Sequence, residues 1–242
     1  MGKAAQRKRN THKAADTPPS AKSHMPQLSK MLKYWLPYIE KIGVENFGYN
    51  DSHMGVKVII TKHYCGYDAS EALKGGEYIV NLACTRADIY ADYTSRNKLT
   101  KDDIEYLFVC SICHQFYDEE LLYLLSKYAK CLTDEEHWEL ITQYWTLQEL
   151  NCNEERKETW RKVFSLRSPI SHLTEELPET FIAYRGASSE GFSWSLSKET
   201  AEWFANRFSD DSDAEVQEQV FNRADALFYT NNRSEQEVVI LN

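Results

Sequence analysis

No run in this chain approaches the roughly 20 consecutive apolar residues that cross a bilayer, and its basic beginning is not followed by the apolar core of a secretory signal. Neither a membrane span nor export is expected, so the chain is read as a soluble protein made and retained in the cytoplasm. The nine glycines never fall into G-x-G-x-x-G or G-x-x-x-x-G-K, and G-x-S-x-G is missing as well. The Rossmann loop, the P-loop and the hydrolase nucleophile elbow are thereby excluded. Six cysteines in a chain with no export signal are expected to be free thiols rather than a disulfide framework. Cys110-Ser111-Ile112-Cys113-His114 spells the covalent haem attachment pattern, but that chemistry belongs to an oxidising compartment. Around it, His114, Cys131, His137 and Cys152 form no second paired knuckle, and no metal is expected.

What is present suits a folded domain: 42% hydrophobic residues, 13% of all residues aromatic, in 242 positions, enough to fill a core. The net charge of −9 hides an asymmetry, because residues 1–24 carry Lys3, Arg7, Lys8, Arg9, Lys13 and Lys22 against Asp16 alone. With almost no apolar residues, this segment reads as a solvated, disordered leader, or else as a contact for nucleic acid or a partner. The acidic remainder repels phosphate backbones at long range.

From Pro26, Leu28, Met31, Leu32, Trp35, Leu36 and Ile39 recur at helical spacing, with Pro37 expected to kink the helix. Val56–Thr61 and Tyr78–Ala83 read as a pair of strands. Beyond them, Thr100 with Asp103 and Thr133 with Glu136 have the spacing of capping pairs. They introduce helices over about 101–114, 118–130, 134–150 and 154–166. The expectation is an α+β protein: a mainly helical lobe over 25–166, then a small mixed-β core over 167–242. In that core, strands 181–184 and 192–196 flank a turn at 186–191. A helix follows over 198–208 behind a Ser197 cap, with Ala201, Phe204, Ala205 and Phe208 facing inward, and a last strand covers Val238–Leu241.

The core carries polar residues that a simple sheet does not need. Arg185 ends an apolar strand, Ser193 and Ser195 flank Trp194, and Glu235 and Glu237 lie two apart before Val238-Val239-Ile240-Leu241. That last run is apolar throughout, as in a strand buried on both faces. If the strand begins early enough, the two carboxylates share a side and raise each other's proton affinity. Trp194, on the other side from the serines, reads as core.

The order Tyr184-Arg185-Gly186, Ser193-Trp194-Ser195, Glu235-Gln236-Glu237 resembles the R-S-E class of mono-ADP-ribosyltransferases, of the bacterial toxin or phage type, over about 181–242. In that family an arginine ends the first core strand, a Ser-Thr-Ser-like motif follows, and a Glu-x-Glu or Gln-x-Glu pair comes last. The resemblance implies an enzyme that cleaves NAD, its co-substrate, and transfers ADP-ribose to a macromolecule. Glu237 is implied as the carboxylate beneath the oxocarbenium-like ribose, and Glu235 as the group that orients or deprotonates the acceptor. Arg185, with Gly186 beside it, is implied at the dinucleotide phosphates, Ser193 as the brace of Glu237, and Ser195 as a further cofactor contact.

Two features depart from the family pattern. Only eight positions separate Arg185 from Ser193, which leaves no room for a helix that often covers NAD, so the preceding helical lobe is the candidate cover. The middle threonine of the serine motif is here Trp194. For the acceptor, Phe228, Tyr229 and Arg233 lie where the family's recognition loop sits, with aromatics suited to a base or a protein surface and an arginine suited to phosphate. A protein side chain such as arginine and an RNA or DNA base both remain open. An inhibitory partner such as an antitoxin is a further implication. The alternatives are an NAD glycohydrolase and a catalytically silent core used for binding.

Overall fold

Two threonines set the start of helices. The computed structural model describes residues 35–51, 57–66, 76–147, 153–186, 191–207 and 215–241. In it the Thr100 hydroxyl accepts from the Asp103 N–H while the Asp103 carboxylate accepts from the Thr100 N–H, at 3.2 and 2.9 Å. Thr133 and Glu136 repeat the exchange at 3.2 and 2.8 Å. Each box satisfies two N–H groups that the first turn leaves unpaired, a contribution of about 1 kcal/mol per cap.

The chain divides into two compact units, 1–88 and 89–242. In the first, helix α1 (Leu36–Ile42) precedes an antiparallel sheet of strands β1 (Phe47–Asp51), β2 (Lys57–Thr61) and β3 (Tyr64–Gly66) in that order. Trp35, Tyr38, Ile39, Phe47 and Ile59 close its core with Val80, Ala83 and Ala87 of helix α2 (Gly76–Ser95). Pro37 stands in the first turn of α1, where its missing N–H has no partner to lose; the residues before Trp35, over which a longer helix kinked at Pro37 was expected, lie outside the described ones. One expectation is corrected here. Residues 78–83 are helical, because Val80, Ala83 and Ala87 bury one helical stripe while Tyr78 is exposed.

The second unit holds helices α3 (Lys101–Cys110), α4 (Tyr117–Lys127), α5 (Asp134–Thr146) and α6 (Glu154–Ser165). A sheet follows, made of β4 (Thr180–Gly186), β5 (Ser193–Ser195), β6 (Val216–Asn222), β7 (Ala226–Thr230) and β8 (Glu237–Ile240), ordered β6-β4-β5-β8-β7. Every pairing is antiparallel, where a mixed sheet was expected. The protein is thus α+β. Helix α7 (Lys198–Asn206) starts at Ser197, whose hydroxyl accepts from the Thr200 N–H at 3.1 Å. Ala201 and Ala205 face inward as expected, but Phe204 is 40% exposed, and Phe208 lies outside the described residues. Among the described residues no helix is long and apolar enough to cross a membrane.

Strand β8, paired with β5 on one side and β7 on the other, is buried at all four positions. Its residues alternate between two cores. Val239 joins Phe192, Phe228 and the helical residues Trp138, Trp145, Trp160 and Phe164. Val238 and Ile240 join Phe181, Ala183, Trp194 and Phe221. This two-sided burial is what a continuous apolar run at a strand predicts.

Candidate active site around Glu237

Glu237 opens β8, two residues before Val239, so its side chain takes the side of the strand that faces the helices. It is 8% exposed, and its Oε1 accepts a hydrogen bond from the Trp145 indole Nε1 at 2.9 Å. Burial raises the carboxyl's proton affinity above the ordinary glutamate value. Hydrogen bonding from Ser193 and Trp145 opposes that rise, the charge of Glu235 adds to it, and Arg233 counters it. Ser193, Glu235 and Glu237 are therefore brought together, with Trp145 and Arg233 as further members.

Glu235 reaches this neighbourhood differently from the strand reading. Gln236 has φ 48°, and Arg233 and Ser234 have φ 64° and 60°. These left-handed positions turn the chain so that extended structure starts only at Glu237. Glu235 thus lies in a turn and not on the strand, its carboxylate 3.5 Å from Arg233 Nη2. Left-handed backbone at residues other than glycine costs of order 1–3 kcal/mol each and persists only where surroundings enforce it. The enforcing contacts are visible: the Gln236 N–H donates to Asn231 Oδ1 at 3.2 Å, and the Leu196 N–H donates to the Gln236 carbonyl at 3.0 Å. The Ser195 hydroxyl donates to the Glu235 carbonyl at 2.7 Å and accepts from the Ser197 N–H at 3.0 Å. In this structure Ser195 ties the turn to the start of α7.

Arg185 is separated from the carboxylates. It is the penultimate residue of β4, at the strand's end as expected, two residues beyond Ala183 and on the side that carries Phe181 and Ala183. Its guanidinium sits 4.2 Å from the centre of the Trp194 ring and donates to the Gly191 carbonyl and to Gln217 Oε1. Trp194 is 2% exposed and occupies the core opposite the Glu237 side, as the alternation of β5 requires. Gly186 is explained by packing, since a Cβ there would approach the Ala205 Cβ to 3.0 Å.

The expected acceptor residues divide as well. Phe228 is fully buried against Trp138, Trp145 and Phe164 and belongs to the core, so it is corrected from a contact residue to a packing residue. Tyr229 is partly buried against the Trp194 core. Arg233, about half exposed, lines an open cleft of about 340 Å³ with Ser234, Glu235, Trp203 and Phe204. Trp203 is 56% exposed and meets Phe204 edge to face at 4.8 Å. Sequence reasoning assigns Trp145 no place in the site, and Trp203 enters only through the resemblance of the helix after the serine strand. Trp203 carries a signal, an aromatic next to a buried alanine stripe, whereas Trp145 lies 92 positions from its partner and carries none.

Five of the cysteines, Cys65, Cys84, Cys110, Cys113 and Cys131, are in no disulfide, and Cys152 lies outside the described residues. Among the described residues no group of three His, Cys, Asp or Glu side chains is placed to hold a metal ion. Compared with known proteins, the chain matches no protein-family model, no curated protein and no solved structure.

Proposed function

We propose that the protein is an NAD-dependent mono-ADP-ribosyltransferase whose reacting carboxylate is Glu237. The observation that supports this reading is a single buried carboxylate at the head of the inner strand β8, braced by Ser193 and Trp145 and accompanied by Glu235 and Arg233. A rigid strand, two donors and low exposure fix an anion in place, as stabilisation of developing positive charge requires. In the reaction the bond between ribose C1′ and the nicotinamide nitrogen breaks, its electron pair leaves with nicotinamide, and the ribose becomes cationic. Glu237 stabilises that cation. The acceptor atom then bonds to C1′ and gives its proton to Glu235, which is nearer to solvent. The acceptor is a macromolecule that approaches along the cleft of Trp203, Phe204 and Arg233.

The placement of Arg185 favours a second reading, a silent core that binds NAD or a partner without turnover. Its guanidinium is committed to Trp194, Gly191 and Gln217 on the side away from Glu237. The full chain and its Glu237→Gln variant, incubated with adenine-labelled NAD and cell lysate, separate the two. Label transferred by the wild type alone supports the transferase, and protease or nuclease digestion identifies the acceptor class. Nicotinamide release without transfer supports hydrolysis, and binding of NAD without release supports the silent core.

A further inference from the structure

We infer that Trp145 is a positioning residue for Glu237, which makes helix α5 part of the reacting site rather than a neighbour of it; this rests on the reading of Glu237 as the reacting carboxylate. The indole N–H is a donor only, and it meets Oε1 at 2.9 Å in a buried setting. The ring has little freedom to turn away. Trp160 lies 4.9 Å from it edge to face, and Phe164, Phe192 and Phe228 surround it at 5.5, 6.4 and 6.3 Å between ring centres.

Packing alone does not account for the bond. The buried indole nitrogens of Trp35, Trp160 and Trp194 have no hydrogen-bond partner, so this protein tolerates a buried tryptophan whose N–H goes unused. Trp145 instead aims its one polar atom at the one carboxylate that opens a core strand. The groups that face this carboxylate are Trp145 from α5, Ser193 from β5, and Glu235 and Arg233 from the turn. Of these, Trp145 is the donor from outside the sheet. It holds Oε1 from the helix side, while Ser193 donates to the same carboxylate from β5.

The test uses the full chain and Trp145→Phe, which keeps an aromatic ring and removes the donor. Glutamate side-chain carbons and tryptophan indole nitrogens are labelled and followed by NMR against pH, and steady-state NAD cleavage is measured over the same range. In the wild type the Trp145 indole resonance should titrate together with Glu237, and Glu237→Gln should abolish that titration. In Trp145→Phe the Glu237 midpoint should rise by about one pH unit, the pH profile of cleavage should move with it, and kcat should fall roughly tenfold or more with little change in KM. An unchanged Glu237 midpoint, or faster cleavage in Trp145→Phe, would overturn the inference. Should Trp145→Phe fail to fold, the loss of the indole titration in Glu237→Gln decides the matter alone. A wild type that cleaves no NAD while the shared titration is present removes the transferase reading, yet leaves Trp145 as the holder of the carboxylate.

Discussion

The two sides of the C-terminal sheet solve different problems with similar residues. On the helix-facing side an indole and a serine serve a carboxylate, whereas on the other side an indole serves as a platform for an arginine. Trp145 spends its polar atom and Trp194 does not. The difference teaches that strand parity outranks proximity in the sequence. Arg185 and Ser193, eight positions apart, face opposite ways, while Trp145 and Glu237, 92 positions apart, are bonded.

The largest expected effect breaks the comparison directly. Glu237→Gln should lower NAD cleavage by about a hundredfold or more, the scale of losing a preorganised charge at a reacting centre. Arg185→Ala should lower it by less than about tenfold; equal losses in a nicotinamide-release assay would show that both sides of the sheet contribute to one site. Next in size, Phe228→Ala should cost about 3–5 kcal/mol in denaturant unfolding, as for a large core side chain. A cost below about 1 kcal/mol with altered acceptor choice would return Phe228 to the recognition role first expected of it.

His137, also on α5, sharpens the description of the helix side. Its ring is fully buried with neither nitrogen hydrogen-bonded, and burial, aided by Arg167, pushes its pKa down to about 4 from the ordinary 6.5. The folded state therefore binds fewer protons than the unfolded state between those values. Stability from the neutral ring is fully present above pH 6.5 and lost as the pH falls toward 4, about 2–3 kcal/mol by pH 4.5. Unfolding free energies of the wild type and His137→Leu, compared at pH 7 and 4.5, should differ in slope by that amount. The smallest effect is expected at Gln236, where glycine accepts φ 48° without strain. Gln236→Gly should leave stability unchanged or raise it by up to about 1 kcal/mol, read from the thermal midpoint.

The helical region was legible because its starts are written locally, in Thr100 with Asp103 and Thr133 with Glu136. Its ends were less so; α3 stops at Cys110, four residues before the apolar pattern does. The stretch 78–83 was misread because a short aromatic and β-branched run fits a strand as well as a helix until Ala87 is counted in the stripe. Within the site, the entry of Glu237 into a core strand could be read from the run that follows it. The turn that detaches Glu235 from that strand could not, since glutamine gives no sign of a left-handed backbone. Nor could Trp145, whose role arises only when α5 packs against the sheet.

Strand β8 has a further consequence for how the chain finds its fold. Val238, Val239 and Ile240 are interchangeable in hydrophobicity, and both sides of the strand are buried, so greasiness alone does not tell one alignment from its neighbour. A slip by one residue would carry the Glu237 carboxylate into the core of Phe181, Trp194 and Phe221, away from the Trp145 donor. Glu237 thereby acts as a key that admits one alignment of this inner strand, so its conservation in any set of related sequences would speak to folding fidelity as much as to chemistry.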